Sequence, residues 1–339
     1  MEHPPLIDLS AFGDTRGVEN NEKEEASTSL RNACRDIGFF YVKSDTVNNN
    51  TTDDVIKTIK EFFDLPDDVK SSANASNSPL FRGYQGVTSP SHSCAPDNKH
   101  NIMDLKESFS IGATGNASAM HGENQWPSKC PLSIKKKLEA HWNTMMKLTM
   151  QVVRCLALSL GLDEDFFLIE MNDPIAQMVC FRYPPSTSSK NISNGDSTTT
   201  GCSAHTDCGF LTLLIQEKNT APLQVKNINN VWVDVPQVEG YVLCNLGGMA
   251  ERWSNQYYRS SWHRVNVNTS NNARHSIPFF CNLNYSAVVD PAESVCKGQL
   301  KCSVGEPKFP SVLAGDYICE KLNLMYMCKN DSEQNVNNN

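Results

Sequence analysis

Apolar residues recur at two different spacings along this chain, and the spacing changes at Ala176. From Ser133 to Leu160, the residues Leu138, Trp142, Met145, Thr149, Val152, Leu156 and Leu160 fall three or four apart before Gly161. That spacing predicts one long helix with a core-facing seam, stopped by the glycine. Met145 and Met146 fit the same reading, because flexible thioethers fill gaps in packed interfaces. Shorter helices are predicted over Ala26–Ile37, ended by Gly38, and over Thr52–Phe63, ended at Leu65-Pro66. Leu6-Ile7-Asp8-Leu9 and Phe39-Phe40-Tyr41-Val42 read as strands. Between Ser71 and Pro96 the chain turns to Ser, Asn, Gly and Pro, which predicts irregular backbone carrying Phe81 and Tyr84 towards a pocket.

From Ala176 onward the apolar runs become short and are separated by turn residues. Strands are predicted over Ala176–Tyr183, Gly209–Gln216, Leu223–Val225, Val231–Val235, Tyr241–Asn245, Trp262–Val267 and Ile277–Leu283. Many short strands in succession predict an antiparallel sandwich or jelly roll, so the fold class is mainly β with flanking α-helices. The Ser-, Thr- and Asn-rich stretch 186–201 reads as an exposed loop, and residues 331–339 as a disordered tail. The expected organisation is an N-terminal mixed α/β region over 1–130, packed on a β core with its long support helix over 131–330. The two regions are expected to form one integrated globular unit, and no internal repeat is visible.

Composition narrows the class of partner. The 339 residues are 39% hydrophobic, enough for a sizeable core, and carry a formal net charge of -8 from 30 basic and 38 acidic side chains. Nucleic acid and anionic membranes call for a clustered basic face, so neither is expected as a partner. Lys135-Lys136-Lys137 reads as a solvated helix start. Met1-Glu2-His3-Pro4-Pro5 has neither the basic start nor the apolar stretch of a signal peptide, which predicts a cytoplasmic protein. The 13 cysteines are scattered, without a Cys-x-x-Cys pair, and read as reduced and mostly buried.

The chemistry concentrates late in the chain. Residues two apart on a strand share a side, so His205 and Asp207 can converge on one ion while Thr206 faces away. His263, several strands downstream, can return to the same point from an opposed strand. Two imidazoles and one carboxylate suit non-haem Fe(II), leaving positions open for a chelating co-substrate and O2. Further on, Arg274 offers a planar fork matched to a carboxylate, and Ser276 adds a hydroxyl on the same side. The other histidines, His3, His92, His100, His121, His141 and His275, read as structural or exposed.

Gly201-Cys202-Ser203-Ala204-His205-Thr206-Asp207-Cys208-Gly209-Phe210, Asn245-Leu246-Gly247-Gly248-Met249 and Ser261-Trp262-His263-Arg264-Val265 closely resemble the plant-type 2-oxoglutarate and Fe(II)-dependent dioxygenases. Isopenicillin N synthase and the hyoscyamine and gibberellin hydroxylases belong to the same superfamily. Pro5-Leu6-Ile7-Asp8-Leu9, Arg82-Gly83-Tyr84, Asp104-Leu105-Lys106-Glu107 and Ala314-Gly315-Asp316-Tyr317 agree, so the resemblance spans nearly the whole chain. It implies a double-stranded β-helix, with iron held by His205, Asp207 and His263. It also implies that Arg274 and Ser276, assisted by Tyr183, hold the distal carboxylate of 2-oxoglutarate. The implied reaction consumes O2, releases succinate and CO2 and hydroxylates a small, specialised-metabolite-type molecule, with ascorbate as an accompanying reductant and no obligatory protein partner.

Candidates for the substrate pocket are Cys208, Phe210, Trp262, Phe280, Asn282, Phe81, Tyr84 and Tyr326. Core packing is an equally good reading of each. Three positions depart from the family pattern: Lys43-Ser44-Asp45 after the aromatic strand, Gly248 in place of Asp, and Phe181-Arg182 in place of Asn-Tyr. Arg182 reads as a surface residue on an alternating strand. Three alternatives stay open at this point: an oxidase of the same fold that uses no 2-oxoglutarate, a zinc hydrolase with the same three ligands, and a non-catalytic binding module.

Overall fold

The computed structural model describes residues 3–13, 20–87, 89–90, 103–185, 199–220, 222–291 and 306–322. Tyr326, the 186–198 stretch and the 331–339 tail lie outside them. Strands and helices follow the two spacings. The helices are α1 (Asn20–Asp36), α2 (Asn49–Phe63), α3 (Asp67–Ser71), α4 (Leu132–Ser159) and α5 (Gly248–Trp253). The first strands are β1 (Leu6–Asp8), β2 (Phe39–Lys43), β3 (Gly83–Gln85), β4 (Ser89–Pro90), β5 (Met103–Asp104), β6 (Glu107–Gly112) and β7 (Pro174–Tyr183). They are followed by β8 (Thr199–Thr200), β9 (Cys202–His205), β10 (Leu211–Gln216), β11 (Leu223–Lys226), β12 (Trp232–Val235), β13 (Val242–Leu246), β14 (His263–Val265) and β15 (Arg274–Asn284). Val288–Val289 (β16) and Val312–Leu313 (β17) pair with each other near the end of the described chain.

Eight strands form a major sheet in the order β1-β2-β13-β10-β15-β7-β6-β3, and four form a minor sheet, β12-β11-β14-β9. Strands from both halves of the sequence interleave in the major sheet, with β2 beside β13 and β6 beside β7. Its two faces are distinct. Leu211, Leu213, Ile215, Ile277, Phe279, Cys281, Met178 and Cys180 share the cluster that holds the seam of α4 and the apolar sides of α1 and α2. On the other face Phe39, Tyr41, Leu243 and Tyr183 meet Leu223, Val225, Val235 and Val265 of the minor sheet. The two sheets therefore stack as a jelly roll, with helices on the outer face of the major sheet.

Local chemistry sets the element ends. α2 opens on a capping box in which Asn48 and Thr51 exchange side-chain-to-backbone hydrogen bonds. α1 ends at Gly38, whose φ of +70° lets its N–H reach the Ala33 carbonyl at 2.8 Å. The sequence pattern predicts irregular backbone throughout 71–96 and no strand at 107–112, whereas β3 and β6 pair there antiparallel. β6 is buried on both faces, so Glu107-Ser108-Phe109-Ser110 shows no solvent-facing alternation. None of the described cysteines is in a disulfide.

Candidate metal centre

His205 ends β9 and His263 begins β14, and the two stand directly opposite each other in the antiparallel register. Their rings lie 4.2 Å apart between centroids. Asp207 lies beyond the end of β9, in a loop fixed by backbone rather than by the strand ladder. The Gly248 N–H donates to the Asp207 carbonyl at 2.7 Å, and the Met249 N–H to the Cys208 and Gly209 carbonyls at 3.1 and 3.0 Å. This close approach requires glycine at 247, where a Cβ would stand 2.2 Å from the Gly209 carbonyl oxygen. It also explains why β10 begins at Leu211 instead of Gly209.

One ligand atom from each of His205, Asp207 and His263 falls within 4.8 Å of the others. Asp207 Oδ1 is 3.8 Å from His205 Nε2 and 3.7 Å from His263 Nε2. The opposite ring nitrogens are committed: His205 Nδ1 meets the Ser203 carbonyl at 2.7 Å and His263 Nδ1 the Ser261 carbonyl at 3.1 Å. With Nδ1–H donating, each Nε2 presents a lone pair to the same point. The far oxygen of Asp207 is committed too, accepting from Thr212 Oγ1 at 2.6 Å and Asn245 Nδ2 at 2.7 Å. Burial pushes the Asp207 carboxyl up, but His263, His205 and these two donors outweigh it and hold the group below the usual carboxylate range. Burial lowers the His263 pKa to about 4, so its imidazole is neutral at physiological pH. Two imidazole nitrogens and an ionised carboxylate are the donor set that a divalent iron needs, and the residues fit it.

Arg274, Ser276 and Tyr183 come together on the inner face of the major sheet, facing the minor sheet. Arg274 pairs with Tyr183 across β15 and β7, and its guanidinium carbon lies 4.8 Å from the phenol ring centroid. Tyr183 hydrogen-bonds Ser276, and burial raises its pKa above the ordinary phenol value. Arg274 Nη2 donates to Gln216 Oε1 at 3.2 Å. The residue is 1% exposed, so the energetic reason for burying its guanidinium must lie in what it meets inside.

The other pocket candidates scatter. Phe210 is core, packed against Phe167 and Trp253. Asn282 is buried and accepts the Phe210 N–H at 2.9 Å, which makes it a brace for the ligand loop. Tyr84 pairs with Phe109 on the outer-face parity of β6, and its hydroxyl donates to Glu107 at 2.6 Å. Phe81 sits at φ +52° and is exposed. Cys208, Trp262 and Phe280 are half-buried. Arg182 is no surface residue: it is half-buried and paired with Glu107 at 2.8 Å. Sequence reading gave no role to Thr212, Asn245 or Gln216, and the available signal was a polar residue inside an otherwise apolar strand.

Comparison with known proteins agrees with this geometry. Residues 174–283 match the 2OG-Fe(II) oxygenase superfamily, and residues 4–129 match the N-terminal region described as "non-haem dioxygenase in morphine synthesis". A homoarginine-6-hydroxylase of Oryza sativa subsp. japonica is 33% identical over 324 residues, covering 94% of this chain and 96% of that protein. One from Glycine max is 30% identical over the same length and coverage. The crystal structure of a full-length Neurospora crassa protein in complex with alpha-KG superposes with a TM-score of 0.79 at 25% identity, covering 94% of this chain and 96% of that one. The fold and the three-ligand centre define a non-haem iron oxygenase. This chain belongs to the 2-oxoglutarate and Fe(II)-dependent oxygenase superfamily.

Proposed function

We propose that this enzyme hydroxylates a small, polar, amino-acid-type molecule, with Arg274, Ser276 and Tyr183 holding the distal carboxylate of 2-oxoglutarate. The observation that carries this reading is a buried guanidinium on the inner face of the major sheet, which faces the minor sheet that carries His205 and His263. His205 Nε2, His263 Nε2 and Asp207 Oδ1 would hold the iron. Bound iron and 2-oxoglutarate together supply the oxidising power, one oxygen atom of O2 going to the substrate C–H bond and the other to succinate, with CO2 released. The chain's own residues orient. Thr212 and Asn245 keep the carboxylate from rotating, and the Arg274 fork matches a carboxylate in plane.

Support for the substrate class comes from two sources. Homoarginine hydroxylases align with this chain over nearly its full length. On the inner-face parity of β6 and β7, the half-buried Gln177 and the small, buried Ser108 and Ser110 set polar groups beside the half-buried, apolar Val179 and Phe181. The net charge of -8 and the lack, among the described residues, of a helix long and apolar enough to cross a membrane fit a cytoplasmic enzyme acting on a small molecule. The interleaved strands fit the two sequence regions acting as one unit. The test is succinate release by purified protein with Fe(II), 2-oxoglutarate and homoarginine or other basic amino acids. Substrate-stimulated succinate with a product heavier by one oxygen supports the reading. Turnover stimulated only by apolar terpenoids or phenolics would remove the substrate class, and turnover without 2-oxoglutarate would remove the co-substrate assignment.

A further inference from the structure

Among the described residues, β9 is the edge strand of the minor sheet and pairs only with β14, through a register shift between His263 and Val265. One iron ligand thus sits at the end of a four-residue strand. An exposed strand edge carries unpaired N–H and C=O groups that must find other partners. At Ser203 a side chain supplies that partner. Asp104 Oδ1 accepts from both the Ser203 N–H at 3.0 Å and Ser203 Oγ at 2.8 Å. Its Oδ2 accepts from Lys106 Nζ at 2.9 Å. Lys106 also reaches Cys202 Sγ at 3.2 Å and lies 5.0 Å from the centroid of the Phe181 ring. Asp104 is 1% exposed, so its carboxylate interacts with these groups rather than with water.

Ser203 is the residue whose carbonyl receives the Nδ1–H of His205. The contacts therefore form one chain: Lys106 fixes Asp104, Asp104 grips Ser203 by backbone and hydroxyl, and the Ser203 carbonyl sets the tautomer and tilt of the ligand ring. Backbone pairing reinforces it, since Leu105 N–H donates to the Thr200 carbonyl at 2.8 Å just upstream of β9. His263 needs no equivalent device, because its strand lies between two others in the sheet. We propose that Asp104 is a positioning residue for the metal centre, presetting His205 Nε2 from a segment of the N-terminal half outside the three-ligand set. The inference rests on the reading of His205 as an iron ligand.

The test compares Asp104→Ala, Asp104→Asn and wild type in the full-length chain, titrated anaerobically with Fe(II) and, separately, with Co(II), whose visible absorption reports ligand geometry. Disturbing a group behind a ligating histidine typically weakens metal affinity 10–100-fold, and that loss is expected for Asp104→Ala. Asp104→Asn keeps the oxygen that Ser203 uses and is expected to recover most of the affinity. The KM for 2-oxoglutarate at saturating metal should stay within about twofold, because Arg274 and its neighbours are untouched. Val152→Ala, buried in α4, serves as a stability control: it should lower Tm and leave metal affinity and the Co(II) spectrum unchanged. Asp104→Ala binding metal as wild type does, or Val152→Ala losing affinity in proportion to Tm, would overturn the inference. Wild-type protein that binds no metal through His205 would overturn this inference and the ligand assignment together, whereas unchanged affinity in Asp104→Ala beside a functional wild type overturns this one alone.

Discussion

The two faces of the major sheet are built from the same strands and do opposite work. On β10, Leu211, Leu213 and Ile215 face the helices, while Thr212 and Gln216 face the minor sheet. On β15, Ile277, Phe279 and Cys281 face outward, while Arg274 and Ser276 face inward. Both sets are buried, so exposure does not separate them. What separates them is the kind of stabilisation: these outward residues are held by non-directional apolar burial, whereas these inward residues, set beside the apolar contacts between the sheets, make directed hydrogen bonds that each need a named partner. A substitution on the outer face should therefore cost stability and spare the chemistry, and one on the inner face should do the reverse.

Phe279→Ala is the strongest challenge to that division. Phe279 is fully buried against Trp142 of α4. Its truncation should lower unfolding free energy by about 3–5 kcal/mol in denaturant titration while leaving metal affinity of the folded fraction unchanged. An equal loss of metal affinity would show that the faces are not independent. Arg274→Gln is the inner-face counterpart. It should raise the KM for 2-oxoglutarate by the equivalent of about 2–5 kcal/mol, as expected when one partner of a buried charge pair is truncated, with little change in Tm. A KM that does not move would remove Arg274 from the co-substrate site.

A pH experiment sharpens the outer side. His141 in α4 is buried, its Nε2 has no hydrogen-bond partner among the described residues, and burial lowers its pKa to about 4. The unfolded chain takes up a proton near pH 6.5 that the folded chain refuses, so stability holds above that pH and declines as pH falls towards 4. The decline should reach about 3 kcal/mol at 1.36 kcal/mol per pH unit. In His141→Leu the slope over this window should flatten in urea titrations at several pH values; an unchanged slope would assign the acid sensitivity elsewhere. The smallest effect is expected for Asn245→Leu, which removes one of two donors to Asp207 Oδ2. Its metal affinity should fall about 10–100-fold, with Thr212 retaining the other hydrogen bond.

Much of this plan is legible in the sequence. Short apolar runs separated by turn residues reveal the strands from Ala176 onward, and the ligand triplet with the distant histidine reveals the centre. The parity of a strand, however, does not say which covered face a residue joins. Tyr84 was expected at a pocket and lies instead with Glu107 on the helix side of β6, and Arg182 is half-buried rather than on the surface, for the same reason. Thr212, Asn245 and Asp104 act through partners separated from them in sequence, so their roles emerge only when the fold brings those partners within 3.0 Å. Phe210 illustrates the converse, since proximity in sequence to the ligand loop places it in the core and not in the cavity.

The central claim is that His205, Asp207 and His263 grip one ferrous ion beside a 2-oxoglutarate clamp. Anaerobic addition of Fe(II) and 2-oxoglutarate to purified protein tests it most directly, read as the visible charge-transfer absorption of a chelated iron complex. The account predicts saturation at one iron per chain in wild type and no band in Asp207→Ala. A full-strength band in Asp207→Ala, or none in the wild-type protein, would contradict it.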